Sequence, residues 1–386
     1  MLAPMLRTAG LALVLLAPSL ALAHHKQTPA VVRYTTAGNA TLPRLADFSD
    51  AYSFAVPQGS SHAIYRFPYN LTKTVLLSAA GDPAHPQAGL SARQVVFDSD
   101  GDPLGSGDPG RQVYLVKGTT ILQLTHDSTG TSVNPAINGN GSLIAFESRG
   151  DLAGQNSVGA QQVYVRNKLG VVTQKSVGAG ASGNAAFSRS GNTLAFDSTT
   201  DPVTGVDTGV SQIWVADMLT GAPAHALTNG LASSRRPAVN AQGRIIAFTS
   251  TADLIGDGSD TGVSQVYVYD LQTSDVGRLT DDAGGCTDPS VDYQLGDWRV
   301  AFVCGGEAFF YQLVADVRYR VPIPTGANTS GILAQGGTFF LVVSTDADLM
   351  GSGTTPGHQI YQLNLYKLPA VPVPGHAVWS PERGVH

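Results

Sequence analysis

One two-strand phrase recurs along this chain, and no other feature of the sequence restricts the possible folds as strongly. Its clearest copies run from Pro135-Ala136-Ile137-Asn138 to Ile144-Ala145-Phe146 and from Pro237-Ala238-Val239-Asn240 to Ile246-Ala247-Phe248. In both, the Phe lies eleven residues after the Pro and a Gly falls five before the Phe, at Gly141 and Gly243; Gly191 holds that place in a third copy. A short apolar run, a polar turn containing Gly and a second apolar run make the pattern of a β-hairpin. The same spacing selects Pro43 to Phe54, Pro86 to Phe97 and Ala185 to Phe196. Two copies are looser: Pro289 to Phe302 carries two extra residues, and Gly331 to Val342 keeps only Gly337.

Each hairpin is followed by a strand-like run with an aromatic anchor, at Tyr65, Tyr114, Tyr164, Trp214, Tyr267, Tyr311 and Tyr361. A period of about 50 residues suits a unit of four short strands rather than a helical repeat. Three copies end a fourth run in Leu-Thr, at Leu124-Thr125, Leu227-Thr228 and Leu279-Thr280. Radial repetition leaves only short, protected sheet edges, so a closed ring is the natural solution for such units. The sequence predicts an all-β, seven-bladed β-propeller of four-stranded antiparallel blades spanning 24–367.

The succession Leu-Thr, Gly, Pro-Ala-Val, a polar turn with Gly, Ile-Ala-Phe-x-Ser and Val-Tyr-Val resembles the TolB-type, WD-repeat-like propeller family over residues 43–365. The usual Ser-Pro-Asp-Gly hairpin is replaced by Asn138-Gly139-Asn140-Gly141 and Ser188-Arg189-Ser190-Gly191, which marks a divergent branch. The resemblance implies a fold more than a function, because similar chains include periplasmic scaffolds, peptidase-attached propellers and a few polysaccharide lyases.

The N-terminus carries Arg7, an apolar run from Ala9 to Leu22 and a small-x-small end at Ala21-Leu22-Ala23. That is the pattern of a secretory signal peptide over 1–23, and it predicts a mature chain in the periplasm or secreted. No other apolar run reaches the roughly 18 residues of a membrane span. Loss of Arg7 moves the formal charge from −6 to −7, and no Lys/Arg cluster is present, which argues against nucleic-acid partners. A monomer is expected. Val31-Val32-Arg33-Tyr34-Thr35 is a spare β-run suited to close the last blade from outside, and the Pro-rich segment 368–386 reads as an extended tail.

Cys286 and Cys304 are equidistant from the turn of the sixth hairpin, so they face each other across an antiparallel pair, and a disulfide is expected.

Chemistry is expected on the rim that carries the long Asp- and Gly-rich loops between second and third strands, such as 98–110, 197–210, 250–263 and 344–357. Asp98, Asp100 and Asp102 alternate around Gly101 as a calcium loop requires, although the same residues also serve as ordinary turn formers. Gln112, Gln162, Gln212, Gln265 and Gln359 enter the third strand of five repeats, either to tie down the long loops or to face a ligand. His126, His225 and His358 fall near the same rim, each isolated in sequence. No nucleophile elbow, His-Glu-x-x-His helix or phosphate loop is present, and no catalytic residue is assigned. The reading is a non-catalytic propeller presenting its loop-rich face to a protein, peptide or glycan of the cell envelope. The alternative is a lyase or hydrolase acting on an envelope or extracellular polymer.

Overall fold

The computed structural model describes residues 30–35, 52–58, 61–67, 74–78, 81–90, 93–258, 262–294, 297–334, 340–351 and most of 353–374. The signal-peptide region 1–23 and the expected first strand around Pro43 lie outside the described residues.

The chain is all-β, and antiparallel pairing of consecutive strands builds every sheet. A typical blade comprises Val133–Ile137, Leu143–Ser148, Gln162–Asn167 and Val172–Gln174, ordered from the first strand outward. The blades spanning 84–123, 182–226 and 234–278 repeat this order, and the 329–364 blade receives its fourth strand, Val31–Arg33, from the other end of the chain. The 286–320 blade carries a fifth strand, because Val371–Val373 of the Pro-rich segment pairs with Val317–Arg320.

The expected seven four-stranded blades are corrected to six. Six sheets have four or more strands, whereas Tyr52–Gln58, Ser61–Phe67 and Thr74–Ser78 form a sheet of only three among the described residues. Phe54 and Tyr65 pair across its first two strands, which identifies these as the second and third strands of the repeat unit, so the member not found among the described residues is the innermost one. The three-stranded sheet packs Phe54 and Tyr65 against Val342 and Ile360 on one side, and Ala55 and Ile64 against Val95 and Phe97 on the other.

The repeated Phe and aromatic anchor are cross-strand partners on the second and third strands. Phe97–Tyr114, Phe146–Tyr164 and Phe248–Tyr267 stack with centroids 5.5, 5.7 and 5.9 Å apart. Each of these Tyr hydroxyls donates to the carbonyl four residues after its Phe, at Gly101, Gly150 and Ala252, pinning the start of the long loop. The anchor therefore fills the core with its ring and fastens the rim with its hydroxyl. In the 286–320 blade Phe302 faces Phe309 instead of Tyr311, and only Gly305 and Gly306 join the two strands, so this blade has no long rim loop.

Cys286 and Cys304 form a disulfide with S–S 2.01 Å and Cα–Cα 4.2 Å, at the base of the sixth hairpin. The corresponding positions of other blades hold hydrogen-bonded serines, Ser182–Ser198 at 2.8 Å and Ser234–Ser250 at 3.0 Å. The double variant Cys286→Ser/Cys304→Ser is thus expected to fold with the cross-strand contact used by its neighbours. Loss of the cross-link should lower stability by about 3 kcal/mol, read as a shift of the denaturant midpoint.

Candidate functional site

Two hydrogen-bond systems shape the loop-bearing rim. The first explains the recurring glutamines. Gln112 Nε2 donates to the carbonyls of Pro109 and Asp127, and its Oε1 accepts from Thr125 Oγ1 at 2.8 Å and from the Asp127 N–H at 3.0 Å. Thr125 Oγ1 in turn accepts the Val113 N–H at 2.9 Å. Gln162 with Ser176, Gln212 with Thr228 and Gln265 with Thr280 repeat the hydroxyl-to-amide bond at 2.6 Å each. In the 329–364 blade Thr35 supplies that hydroxyl, donating to Gln359 Oε1 at 3.0 Å and accepting the Ile360 N–H at 2.9 Å. Gln112, Gln162, Gln265 and Gln359 are buried and Gln212 is half-buried. Their amides join third strand, outer strand and inter-blade link, and none of the five lines the rim cavity described below.

The second system lies nearer the axis. The first strands of the blades carry β-bulges, with register shifts at Ala84/Gln87, Gly183/Ala186, Arg235/Ala238 and Thr287/Ser290. Just before the Pro (or Ala) of the repeat, five non-glycine residues adopt positive φ: His85 (47°), Asn134 (49°), Asn184 (56°), Arg236 (56°) and Asp288 (53°). This region is uncommon for L-residues, and a bulge re-aims the side chain it carries. Three buried carboxylates hold the arrangement in place. The carboxylate following the Phe of one blade accepts the N–H of the positive-φ residue in the next: Asp98 from Asn134 at 3.0 Å, Glu147 from Asn184 at 2.7 Å and Asp197 from Arg236 at 2.8 Å. Each also binds the corresponding side chain of its own blade, Asp98 to His85 Nδ1 at 2.7 Å, Glu147 to Asn134 Nδ2 at 3.0 Å and Asp197 to Asn184 Nδ2 at 2.7 Å. Arg236 instead reaches Asp288 of the following blade at 2.7 Å.

These five residues line a cavity of about 500 Å³, a size within the range of small-ligand sites. His62, bonded through Nδ1 to Asp82, and Gln87 complete its polar lining, and Pro83, Pro86, Pro135 and small alanines supply the apolar part. No aromatic residue other than the two histidines belongs to the lining.

Asp98, Asp100 and Asp102 are held by different donors. Asp98 is buried against Arg111 Nε at 2.7 Å as well as His85 and Asn134. Asp100 accepts the Asp82 N–H at 2.6 Å. Asp102 accepts the Gly107 N–H at 2.7 Å, and this bond, with that from Ser106, holds its carboxyl below the usual range. His126 is exposed and bonds Asp108 at 2.6 Å. His225 is exposed on the outer strand His225–Ala226, and His358 has a buried Nδ1 with no hydrogen-bond partner among the described residues. None of these three histidines lines the cavity. Asp282, Cys286 and Cys304 form a small acidic and sulfur cluster, with ligand atoms within 4.8 Å, that could in principle coordinate a metal. The sulfurs are joined as the disulfide, so it offers thiolates only after reduction.

The ring of positive-φ residues is absent from the sequence reading. Its signal is positional, namely a polar residue directly before the Pro of each phrase, but its identity changes from His to Asn to Arg to Asp, and only the register shift shows that all five converge.

No protein-family model matches the chain, and no curated protein matches it. Among solved structures it is similar to an oligogalacturonate lyase in complex with manganese, at 13% identity over 86% of this chain and 92% of that chain, with a TM-score of 0.57. It is also similar to the β-propeller domain of the Trilobed protease from Pyrococcus furiosus, at 9% identity over 86% and 94%, with a TM-score of 0.55. TolB from Acinetobacter baumannii is 18% identical over 70% of this chain and 62% of that chain, with a TM-score of 0.46. At these identities the likeness is one of fold. The shared fold is the β-propeller, and the TolB-type family expected from the sequence is not shown.

Two variants test this description. Glu147→Ala leaves the Asn184 N–H, Asn134 Nδ2 and Gln161 Nε2 without their shared acceptor, and is expected to cost about 3 kcal/mol of folding stability by chemical denaturation. Asp127 links two blades. Burial alone would raise its pKa, but bonds from Ser148 and Thr129 outweigh it and hold the carboxyl below its ordinary value. A folded-state pKa below the unfolded one gives stability that is present above the unfolded pKa and lost as pH falls through the folded value. Asp127→Asn should therefore lower stability at neutral pH and flatten the acid limb below about pH 4, measured as thermal midpoint against pH.

Proposed function

We propose that this chain is an exported, non-catalytic propeller that binds a protein, peptide or glycan of the cell envelope at the cavity on its loop-bearing rim. The observation that carries this reading is the convergence of His85, Asn134, Asn184, Arg236 and Asp288, from five successive blades, on one cavity. Strained backbone with variable polar side chains on a repeated frame is the form that a grafted binding site takes on a common fold. The long loops add exposed aliphatic residues on the same rim, Leu104, Val158, Val206 and Met350, which suit contact with a partner larger than the cavity. Export is supported by the signal-like segment 1–23 and by the Cys286–Cys304 disulfide, which fits an oxidising compartment. No helix among the described residues is long and apolar enough to cross a membrane.

A second reading, a lyase or hydrolase acting on an envelope polymer, draws on the His62–Asp82 and His85–Asp98 pairs beside the cavity, since a carboxylate bonded to Nδ1 orients an imidazole for proton transfer. The two readings separate in one experiment, affinity capture of envelope proteins and glycans followed by incubation of the captured material. The binding reading expects a retained partner of unchanged length, lost when Asn184 and Arg236 are both replaced by Gly, a residue that accepts positive φ. Shortening of a polymer by the wild type but not by His85→Asn would replace the first reading with the second. Capture is expected to be the same with and without chelator, because Asp98 is already held by Arg111, His85 and Asn134.

A further inference from the structure

We infer that the cavity takes a short, neutral oligosaccharide. The inference rests on the binding reading above and names the ligand of that site. The orientation of each lining group is set from behind. Asn134 and Asn184 donate Nδ2 to Glu147 and Asp197, which leaves both Oδ1 atoms as acceptors at the cavity. His85 is fixed through Nδ1 to Asp98, leaving Nε2 on a side chain that is 55% exposed. Arg236 is half-exposed and holds Asp288 through Nη1, so the rest of its guanidinium is available as donor beside that carboxylate. The cavity thus presents amide acceptors, a guanidinium donor and a carboxylate in fixed positions around a small, partly apolar floor.

Hydroxyl groups are the ligand chemistry that matches this set, because each hydroxyl both donates and accepts. A pair of neighbouring hydroxyls can give one hydrogen to Asp288 and take one from Arg236. The charges argue for neutrality. The lining's one guanidinium, Arg236, is paired with Asp288, and its other carboxylate, Asp82, is bonded to His62, so a polyanion finds no cluster of free cations. The apolar lining argues against a hydrophobic peptide anchor. It consists of Pro and Ala, whose shallow surfaces can meet the C–H face of a sugar ring but form no deep slot for a Leu or Phe side chain.

Calorimetric titration of the mature chain with cellotetraose, maltotetraose, N-acetylchitotetraose and tetragalacturonate tests the inference. At least one neutral tetrasaccharide is expected to bind. Its Kd should rise at least tenfold in Asn134→Gly/Asn184→Gly, which removes both acceptors while keeping positive φ accessible, and again in Arg236→Gly. Thermal midpoints of the variants separate loss of binding from loss of fold. Equal affinity in wild type and variants would overturn the assignment to this cavity, and tighter binding of tetragalacturonate than of every neutral sugar would overturn neutrality. If a captured protein or peptide is lost on Arg236→Gly while no neutral sugar binds, the oligosaccharide is wrong and the binding face stands. Failure of sugars, peptides and proteins alike to engage this cavity would overturn both.

Discussion

A buried carboxylate that accepts a backbone N–H from the neighbouring blade is the contact on which the rest of this structure depends. Asp98, Glu147 and Asp197 are 0%, 1% and 5% exposed, and burying such charges is costly unless every lone pair finds a donor. Each finds donors from two directions, a backbone N–H from the next blade and a side chain of its own. The bond fixes the spacing between blades, and it also stabilises the left-handed backbone at the residue that donates it. Architecture and site are therefore the same set of bonds: moving a carboxylate would loosen a blade junction and turn a cavity-lining side chain together.

The ring is not uniform. After Phe248 the carboxylate position is occupied by Thr249, whose hydroxyl donates to the Arg235 carbonyl within its own blade. At that next junction the Arg236–Asp288 ion pair crosses between blades, and a disulfide replaces the serine contact at the hairpin base. The 234–278 and 286–320 blades are thus joined by side-chain charge instead of by a carboxylate on backbone, while the disulfide ties the first two strands within the 286–320 blade. The change coincides with the two-residue connection at Gly305-Gly306, so the rim lacks a long loop on this side.

The frame was readable from the chain because it repeats. Phe146 and Tyr164 recur at a nearly constant interval, and so do Gln162 and the hydroxyl it binds, since each blade must solve the same packing and hydrogen-bonding problem. The cysteines could be paired because their distances from the hairpin turn were equal, and Cys286 does face Cys304 in the register. Blade count was overestimated because the Pro43 phrase carries the spacing of a hairpin, yet among the described residues only the second, third and fourth strands of its unit are found in the sheet that contains Phe54 and Tyr65. In the 286–320 blade the anchor Tyr311 does not face the repeated Phe, because a two-residue turn brings Phe309 opposite Phe302. The cavity was invisible for the opposite cause. Its residues share a position and differ in chemistry, and a scan for recurring residue types passes over a place where only the backbone recurs.

Thr35 performs, for the last blade, the task that Thr125, Ser176, Thr228 and Thr280 perform within their own repeats, although it lies 324 residues from its glutamine. Separation of this kind costs little at equilibrium, because loop-closure free energy grows by only about 0.6 kcal/mol per doubling of length. Its consequence is temporal. A chain that emerges from its N-terminus exposes Val31–Thr35 long before Gln359, so this strand stays without its partner until the 329–364 segment has followed. The blades spanning 84–123, 133–174, 182–226 and 234–278 can complete themselves as they appear, whereas Val31–Arg33 must wait for a blade whose other strands form only after them.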